Sequence, residues 1–271
     1  MALLAEALES IRDNGDDALH VVNISGGKDS AALAVYIRTR YPEIHDKADY
    51  VFCDTDCELE ETYEYLETLE DYLGKRIHRL NALSLLDIRL KPDRNPFDIL
   101  LREKFGGFLP SPRSRWCTRA LKIEPFEAFV GQRKAYSYIG IRADENRDGY
   151  VAKKPPSLSN KQNIIPVYPF KDDGLGLADI KMLLESNGVG LPSYYEWRSR
   201  SGCYFCFYQQ IGEWQRLKKY HPDLFEKAKE YERISDGFTW CEGRTLDEIA
   251  ELPEQPLPLH NEQSGCAICH L

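Results

Sequence analysis

The chain has 271 residues, 42% of them hydrophobic and 29% charged, and a net charge of −9 at neutral pH. That length suits one large domain, or one domain with an appendage. The acidic balance argues against a free-standing nucleic-acid binder, which is ordinarily basic. No run approaches the ~18 apolar residues that a membrane span requires.

The opening stretch, MALLAEALESIRDNGDD, reads as an amphipathic helix with Leu3, Leu4, Leu8 and Ile11 on one face. It lacks a basic start and carries acids early, so it is not expected to be a secretory signal, and the expected compartment is the cytoplasm. Eight cysteines in such a compartment favour metal or catalytic use over disulfides.

From residue 20 the sequence alternates strand and helix. Residues 20–24 form a predicted strand and 30–41 a helix. Residues 50–53 form a second strand, followed by an acidic helix over 60–73 that Gly74 closes, and 77–80 form a third. Two more strands are expected over 136–140 and 163–166. This alternation predicts an α/β fold, a parallel twisted sheet with helices on both faces, whose ligands bind beyond the carboxyl ends of the strands. The stretch 153–161, KKPPSLSNK, reads as an exposed loop. Beyond Asp172 the character changes, with helices expected over 178–186, 212–219 and 222–233 and a proline-rich tail ending in cysteines. The expected division is a nucleotide-binding domain over 1–170 and a smaller helical, cysteine-bearing part over 171–271. There is no internal repeat.

Between the first strand and the first long helix stands Ser25-Gly26-Gly27-Lys28-Asp29-Ser30. Two glycines let the backbone turn sharply and aim its N–H groups at an anion. The following helix adds its positive end. Lys28 supplies a charge, and Ser25 and Ser30 supply hydroxyls. This is a phosphate cradle but not a Walker A loop, which needs glycine where Val22 stands and Ser or Thr where Asp29 stands.

A basic stretch, Arg113, Arg115, Arg119 and Lys122, surrounds Cys117. Such cations hold phosphate or sulfate and favour a thiolate. Arg142 follows the predicted strand 136–140 and is placed to close over a nucleotide. Asp144 and Glu145 beside it either pair with it or help hold Mg²⁺, for which Asp29 is the preferred carboxylate. Cys203-x-x-Cys206 and Cys266-x-x-Cys269 form a double pair of the kind that holds zinc or an iron–sulfur cluster. Cys53, Cys57 and Cys241 read as packing residues. A haem-attachment reading of the Cys266-Ala-Ile-Cys269-His270 ending is set aside, since no export signal accompanies it.

SGGKDS resembles the signature of the PP-loop ATP pyrophosphatases, which cleave ATP to AMP and pyrophosphate to activate a substrate oxygen. More of the chain resembles the phosphoadenylyl-sulfate (PAPS) reductase branch of that superfamily: VFCDTDCELEETYEYLETL, RWCTRALKIEPF, GIRADE and SGCYFCFYQQIGEWQRLKKYHPDLFEKA. The resemblance implies ATP, with Mg²⁺, held by residues 25–30, Asp54, Thr55, Gly140 and Arg142. It implies chemistry at Lys28, Asp29, Cys117, Arg119, Lys122 and Arg142. It also implies a 4Fe–4S cluster or zinc on four of Cys117, Cys203, Cys206, Cys266 and Cys269. Trp116 stands where adenylyl-sulfate-reducing members carry a second cysteine. Gly265 and Ala267 depart from the tail of true PAPS reductases, where glutamate and glycine flank the cysteine. Within the branch the chain is most similar to the PP-loop subunit of DNA phosphorothioation systems of the Dnd and Ssp type, which act in bacterial defence. The implied partners are a cysteine desulfurase, other subunits of a modification complex, and DNA or tRNA reached through them. A thioredoxin-linked reductase of PAPS or adenylyl sulfate, a tRNA thiolation enzyme, and a nucleotide sensor with structural zinc are the alternatives.

Overall fold

The computed structural model describes residues 2–13, 16–85, 94–145, 162–235 and 237–256. The loop 153–161 and the tail cysteines Cys266 and Cys269 lie outside the described residues.

Five strands, β1 Leu19–Ile24, β2 Asp49–Asp54, β3 Ile77–Asn81, β4 Ala135–Tyr138 and β5 Ile164–Val167, form one sheet in the order β3-β2-β1-β4-β5. Every pairing is parallel. The α/β fold expected from the alternation is therefore the observed one. Between Leu19 and Ile24 the chain is buried from His20 onward, because a strand with helices on both faces has no face to give to water.

The helices are α1 Ala2–Arg12, α2 Lys28–Arg40, α3 Pro42–Lys47, α4 Glu60–Leu73, the single turn α5 Ala82–Leu85, and α6 Pro96–Glu103. Next come a short turn α7 Trp116–Thr118, a π-helical stretch Arg119–Ile123 and α8 Glu124–Val130. The last are α9 Pro169–Asp172, α10 Leu177–Ser186, a 3₁₀ turn Ser193–Glu196, α11 Ile211–Tyr220, α12 Pro222–Ile234 and α13 Leu246–Glu251. Gly74 ends α4 in the left-handed conformation, as its position in the sequence predicts. α2 begins two residues earlier than expected, so Lys28 is already its first residue and Gly27 its N-cap. α6 has no counterpart in the sequence reading. Asn95 caps it by accepting from the Asp98 N–H, and Pro96 opens its first turn.

Alternate residues of the strands feed opposite faces. Val22, Ile24, Tyr50 and Phe52 pack with α2, α4 and α10 through Leu33, Ile37, Leu66, Leu69, Ile180 and Leu184. Val21, Val51 and Cys53 face Ile123, Phe126 and Val130 of the π stretch and α8. A further core joins distant parts of the chain. Cys57, Leu59, Phe97, Leu101 and Trp116 pack with Trp197, Phe205, Trp214, Phe225 and Trp240. Phe97 lies at its middle, 4.2 Å from Phe205 and 5.1 Å from Trp116 between ring centroids. This core fixes the C-terminal helices against the carboxyl end of β2, which brings their loops to the glycine turn.

Candidate functional site

The strand order reverses between β1 and β4, so the connections leaving these neighbours part in opposite directions. A crevice opens there in sheets of this kind. The loop Ser25–Gly27 leaves one strand and residues 139–142 leave the other. Asn23 ties the strands by donating to Ser137 Oγ at 2.7 Å and to the Tyr138 carbonyl at 3.2 Å. Gly140 is needed for close approach. A Cβ there would stand 2.7 Å from the Asp29 carbonyl oxygen.

The glycine loop is tightly built. Gly26 has φ +71°, and a Cβ on it would lie 2.5 Å from Thr62 Cγ2 of α4. Ser30 Oγ accepts from the Ser25 N–H at 3.0 Å and donates to the Gly27 carbonyl at 3.0 Å. The loop thus closes on the first turn of α2, and Gly27 brings no side chain to cap that helix. Lys28 Nζ pairs with Asp29 Oδ2 at 2.8 Å. Burial works against the ammonium, but Tyr195 and Asp29 raise its pKa.

Arg142 is 1% exposed. Its Nη1 lies 2.9 Å from Asp29 Oδ1 and 3.3 Å from Glu145 Oε1, and its Nε lies 2.8 Å from Asp144 Oδ1. Burial opposes its charge, yet Asp29, Glu145 and Asp144 hold its pKa above the ordinary value. Of the two sequence readings of Asp144 and Glu145, pairing with Arg142 is the one present. Asp29, the carboxylate expected for Mg²⁺, has both oxygens engaged by cations and joins Lys28 to Arg142 across the crevice.

At the carboxyl end of β2, Asp54 Oδ1 accepts from Tyr63 OH at 2.8 Å and from the Asp56 N–H at 2.9 Å. Thr55, expected at the nucleotide, faces sulfur: its Oγ1 donates to Glu58 Oε1 at 2.9 Å and lies 3.2 Å from Cys203 Sγ. Cys117, Cys203 and Cys206 line one pocket, together with Thr55, Arg115, Lys122, Tyr208 and aromatic residues of the shared core. Residues 89 positions apart in sequence are thereby brought together (Cys117 and Cys206). Burial, with Glu58, pushes the Cys203 thiol up, against the pull of Lys122 and Thr55.

Of the two expected anion contacts, Lys122 is buried at this pocket, 3.7 Å from Glu58 Oε1. Arg119 points elsewhere and pairs with Glu124 and Glu127 at 3.2 and 3.5 Å. Arg115 of the same basic stretch lines the pocket, and its guanidinium and that of Arg200 lie over the Tyr208 ring, 5.9 and 4.8 Å from its centre.

Cys53 and Cys57 are buried, as packing residues should be. Burial pushes the Cys53 thiol up to about 12 and raises the Cys57 thiol well above its ordinary value. The Cys57 carbonyl also accepts from the Tyr204 N–H at 2.9 Å, tethering the cysteine loop. Cys241 is half-buried in a neighbouring groove that shares Phe207 and Trp240 with the pocket.

Three thiols around one pocket match the donors of an iron–sulfur cluster, which spreads its ligands over a larger volume than one ion does. Among the described residues, no three His, Cys, Asp or Glu side chains converge closely enough to hold a single metal ion. Cys266 and Cys269, outside the described residues, have no assigned place here.

Several residues at the site carried no sequence signal. Arg198 is buried and donates to the Gly202 and Cys203 carbonyls at 2.9 and 2.8 Å, setting the course of the cysteine loop. Tyr194 OH donates to the Gly26 carbonyl at 2.7 Å. Tyr195 OH accepts from the Lys28 N–H at 3.3 Å. The nearest signal was composition: an arginine and two tyrosines just ahead of a Cys-x-x-Cys pair.

The sequence profile of the phosphoadenosine phosphosulfate reductase domain matches residues 19–216. A protein of Methanocaldococcus jannaschii is 26% identical over 214 residues, which are 76% of this chain and 40% of that protein. The chain thus spans less than half the length of that relative. A protein of Escherichia phage 186 is 26% identical over 262 residues, covering 81% of this chain and 76% of its own. The crystal structure of phosphoadenylyl-sulfate reductase from Candida auris, in a phosphate complex, aligns with a TM-score of 0.49 at 13% identity, covering 74% of this chain and 86% of that one. Among the described residues no helix is long and apolar enough to cross a membrane. With the profile matched over most of its length, the chain belongs to the phosphoadenosine phosphosulfate reductase domain family.

Proposed function

We propose that this protein cleaves ATP between the α- and β-phosphates and uses the adenylate to activate an oxygen for sulfur incorporation. The acceptor in this reading is a nucleic acid, specifically DNA undergoing phosphorothioate modification in bacterial defence. One observation supports the reading: the glycine loop at the sheet's switch point lies against the segment that continues into a three-thiol pocket.

The chemistry balances simply. The acceptor oxygen attacks the α-phosphorus, that O–P bond forms, and pyrophosphate leaves with the electrons of the broken bond. The terminal sulfur of a persulfide then bonds to the activated atom as AMP leaves with the oxygen, and an external thiol reductant supplies the two electrons that break the S–S bond and free the thiol carrier. The loop N–H groups and the start of α2 hold the phosphates. Lys28 balances their charge, and Asp29 and Arg142 keep Lys28 in place. Arg115 and Lys122 attract the anionic intermediate to the cysteines. A 4Fe–4S cluster on Cys117, Cys203 and Cys206, completed by Cys266 or Cys269 or left open at one iron, would supply a site for sulfur. The sulfur donor in this reading is a cysteine desulfurase, and other subunits carry the DNA, which suits a chain of net charge −9. Thiolation of tRNA is the same chemistry on another acceptor.

A second reading, thioredoxin-linked reduction of PAPS or adenylyl sulfate, is favoured by the family's profile. The test is anaerobic incubation with α-labelled ATP. AMP and pyrophosphate are the expected products, and their loss in Lys28→Ala ties them to the loop. ADP with orthophosphate would overturn the reading. Sulfite formed from PAPS would install the second one.

A further inference from the structure

We infer that residues 194–203 form a strap that completes the phosphate cradle from the C-terminal side and reports its occupancy to the cysteine pocket. The inference rests on the phosphate-binding reading of the glycine loop. Its substance is the juxtaposition of Tyr195 and Ser201 with Gly27 and Lys28, Ser201 standing two residues before Cys203.

The contacts run the length of the strap. At one end, Tyr194 is fully buried and donates to the Gly26 carbonyl at 2.7 Å. Tyr195 OH accepts from the Lys28 N–H at 3.3 Å, and Lys28 Nζ lies 5.8 Å from the centre of that ring. A Cβ on Gly27 would meet Ser201 Oγ at 2.7 Å and Tyr195 OH at 3.4 Å. Both hydroxyls therefore stand at the start of α2, to which Gly27 brings no side-chain cap and where the nucleotide's phosphate oxygens belong. A hydroxyl can accept from a backbone N–H and donate to an anion at once. At the other end, Arg198 holds the Gly202 and Cys203 carbonyls, and Cys203 Sγ lies 3.2 Å from Thr55 Oγ1. Between them, Glu213 Oε1, fully buried, accepts from both the Ser199 N–H and the Ser199 hydroxyl at 2.7 Å.

So tethered, the strap cannot move at Ser201 without moving Cys203. A polyphosphate that draws the two hydroxyls onto its oxygens would order the cysteine loop in the same step. Tyr195 and Ser201 are thus phosphate-binding residues, and Arg198 and Glu213 are positioning residues for the coupling.

The test uses the full chain, purified anaerobically, with α,β-methylene-ATP as the probe. Calorimetry gives the affinity, and hydrogen exchange reports on residues 25–31 and 202–209. In the unaltered protein the nucleotide should slow exchange in both segments. Tyr195→Phe and Ser201→Ala, tested separately, should each weaken binding about tenfold, the loss expected for one hydrogen bond to a charged group. At saturating nucleotide both variants should keep the protection over 25–31 and lose it over 202–209, a split that general destabilisation would not produce. Wild-type affinity in both variants, or protection of 202–209 that survives in them, would overturn the strap while leaving the nucleotide site intact. An unaltered protein that binds no nucleotide would overturn the phosphate-binding reading and the strap with it.

Discussion

Replacing Gly26 by alanine perturbs the glycine loop in two separable ways. The residue has φ +71°, where a Cβ costs about 1–2 kcal/mol. The new methyl would also lie 2.5 Å from Thr62 Cγ2. Thr62 is β-branched, 1% exposed and packed at the start of α4, so it cannot swing aside. Overpacking of that kind costs about 1–3 kcal/mol. The sum, about 2–5 kcal/mol, is a large share of the ~5–15 kcal/mol that holds a domain together. Thr62→Ser removes the offending methyl at a cost of about 1 kcal/mol by itself. In the double variant the steric part should vanish and the backbone part remain. Urea unfolding of the four proteins should therefore show a favourable coupling of about 1–3 kcal/mol between the two positions. Effects that add to within about 0.5 kcal/mol would refute the contact between the loop and α4.

Acid sensitivity should appear above the range where carboxylates titrate. Burial holds the His20 imidazole near pKa 4 rather than 6.5, so below pH 6.5 the unfolded chain takes up a proton that the folded one refuses. This contribution to stability is complete above pH 6.5 and is lost as pH falls from there toward 4. His20→Gln should flatten the fall in the urea midpoint between pH 6.5 and 5, and an unchanged slope would show that His20 is not the group. For the cysteines, Cys203→Ser should lower bound iron and sulfide, whereas Cys53→Ser should leave them unchanged; equal metal content in both would remove Cys203 from the site. Iodoacetamide at pH 8 should spare Cys53 and Cys57 until the chain unfolds, and modification of either in the folded protein would contradict their burial.

What the sequence determined by itself was local. The apolar run at 20–24, the Gly-Gly turn after it and the acidic helix closed by Gly74 each depend on residues a few positions apart, and each formed as read. The loop's sharp turn was legible for the same reason: its glycines and serines make their contacts within a few residues. Even α6 has local signs in Asn95 and Pro96, but its apolar stretch is short and lies among charged residues. What only the tertiary structure decided was which of these pieces meet. The pairing of β1 with β4 sets Arg142 against Asp29, 113 residues away, so that one carboxylate anchors two cations. Packing of the shared aromatic core swings Cys203 to Thr55 across 148 residues and Tyr195 to Lys28 across 167. The π-helical stretch sends Lys122 inward and leaves Arg119 outside. None of these meetings has a period or a spacing that marks it in the chain. They follow from burying apolar surface that belongs to distant segments, and that free energy depends on the whole fold.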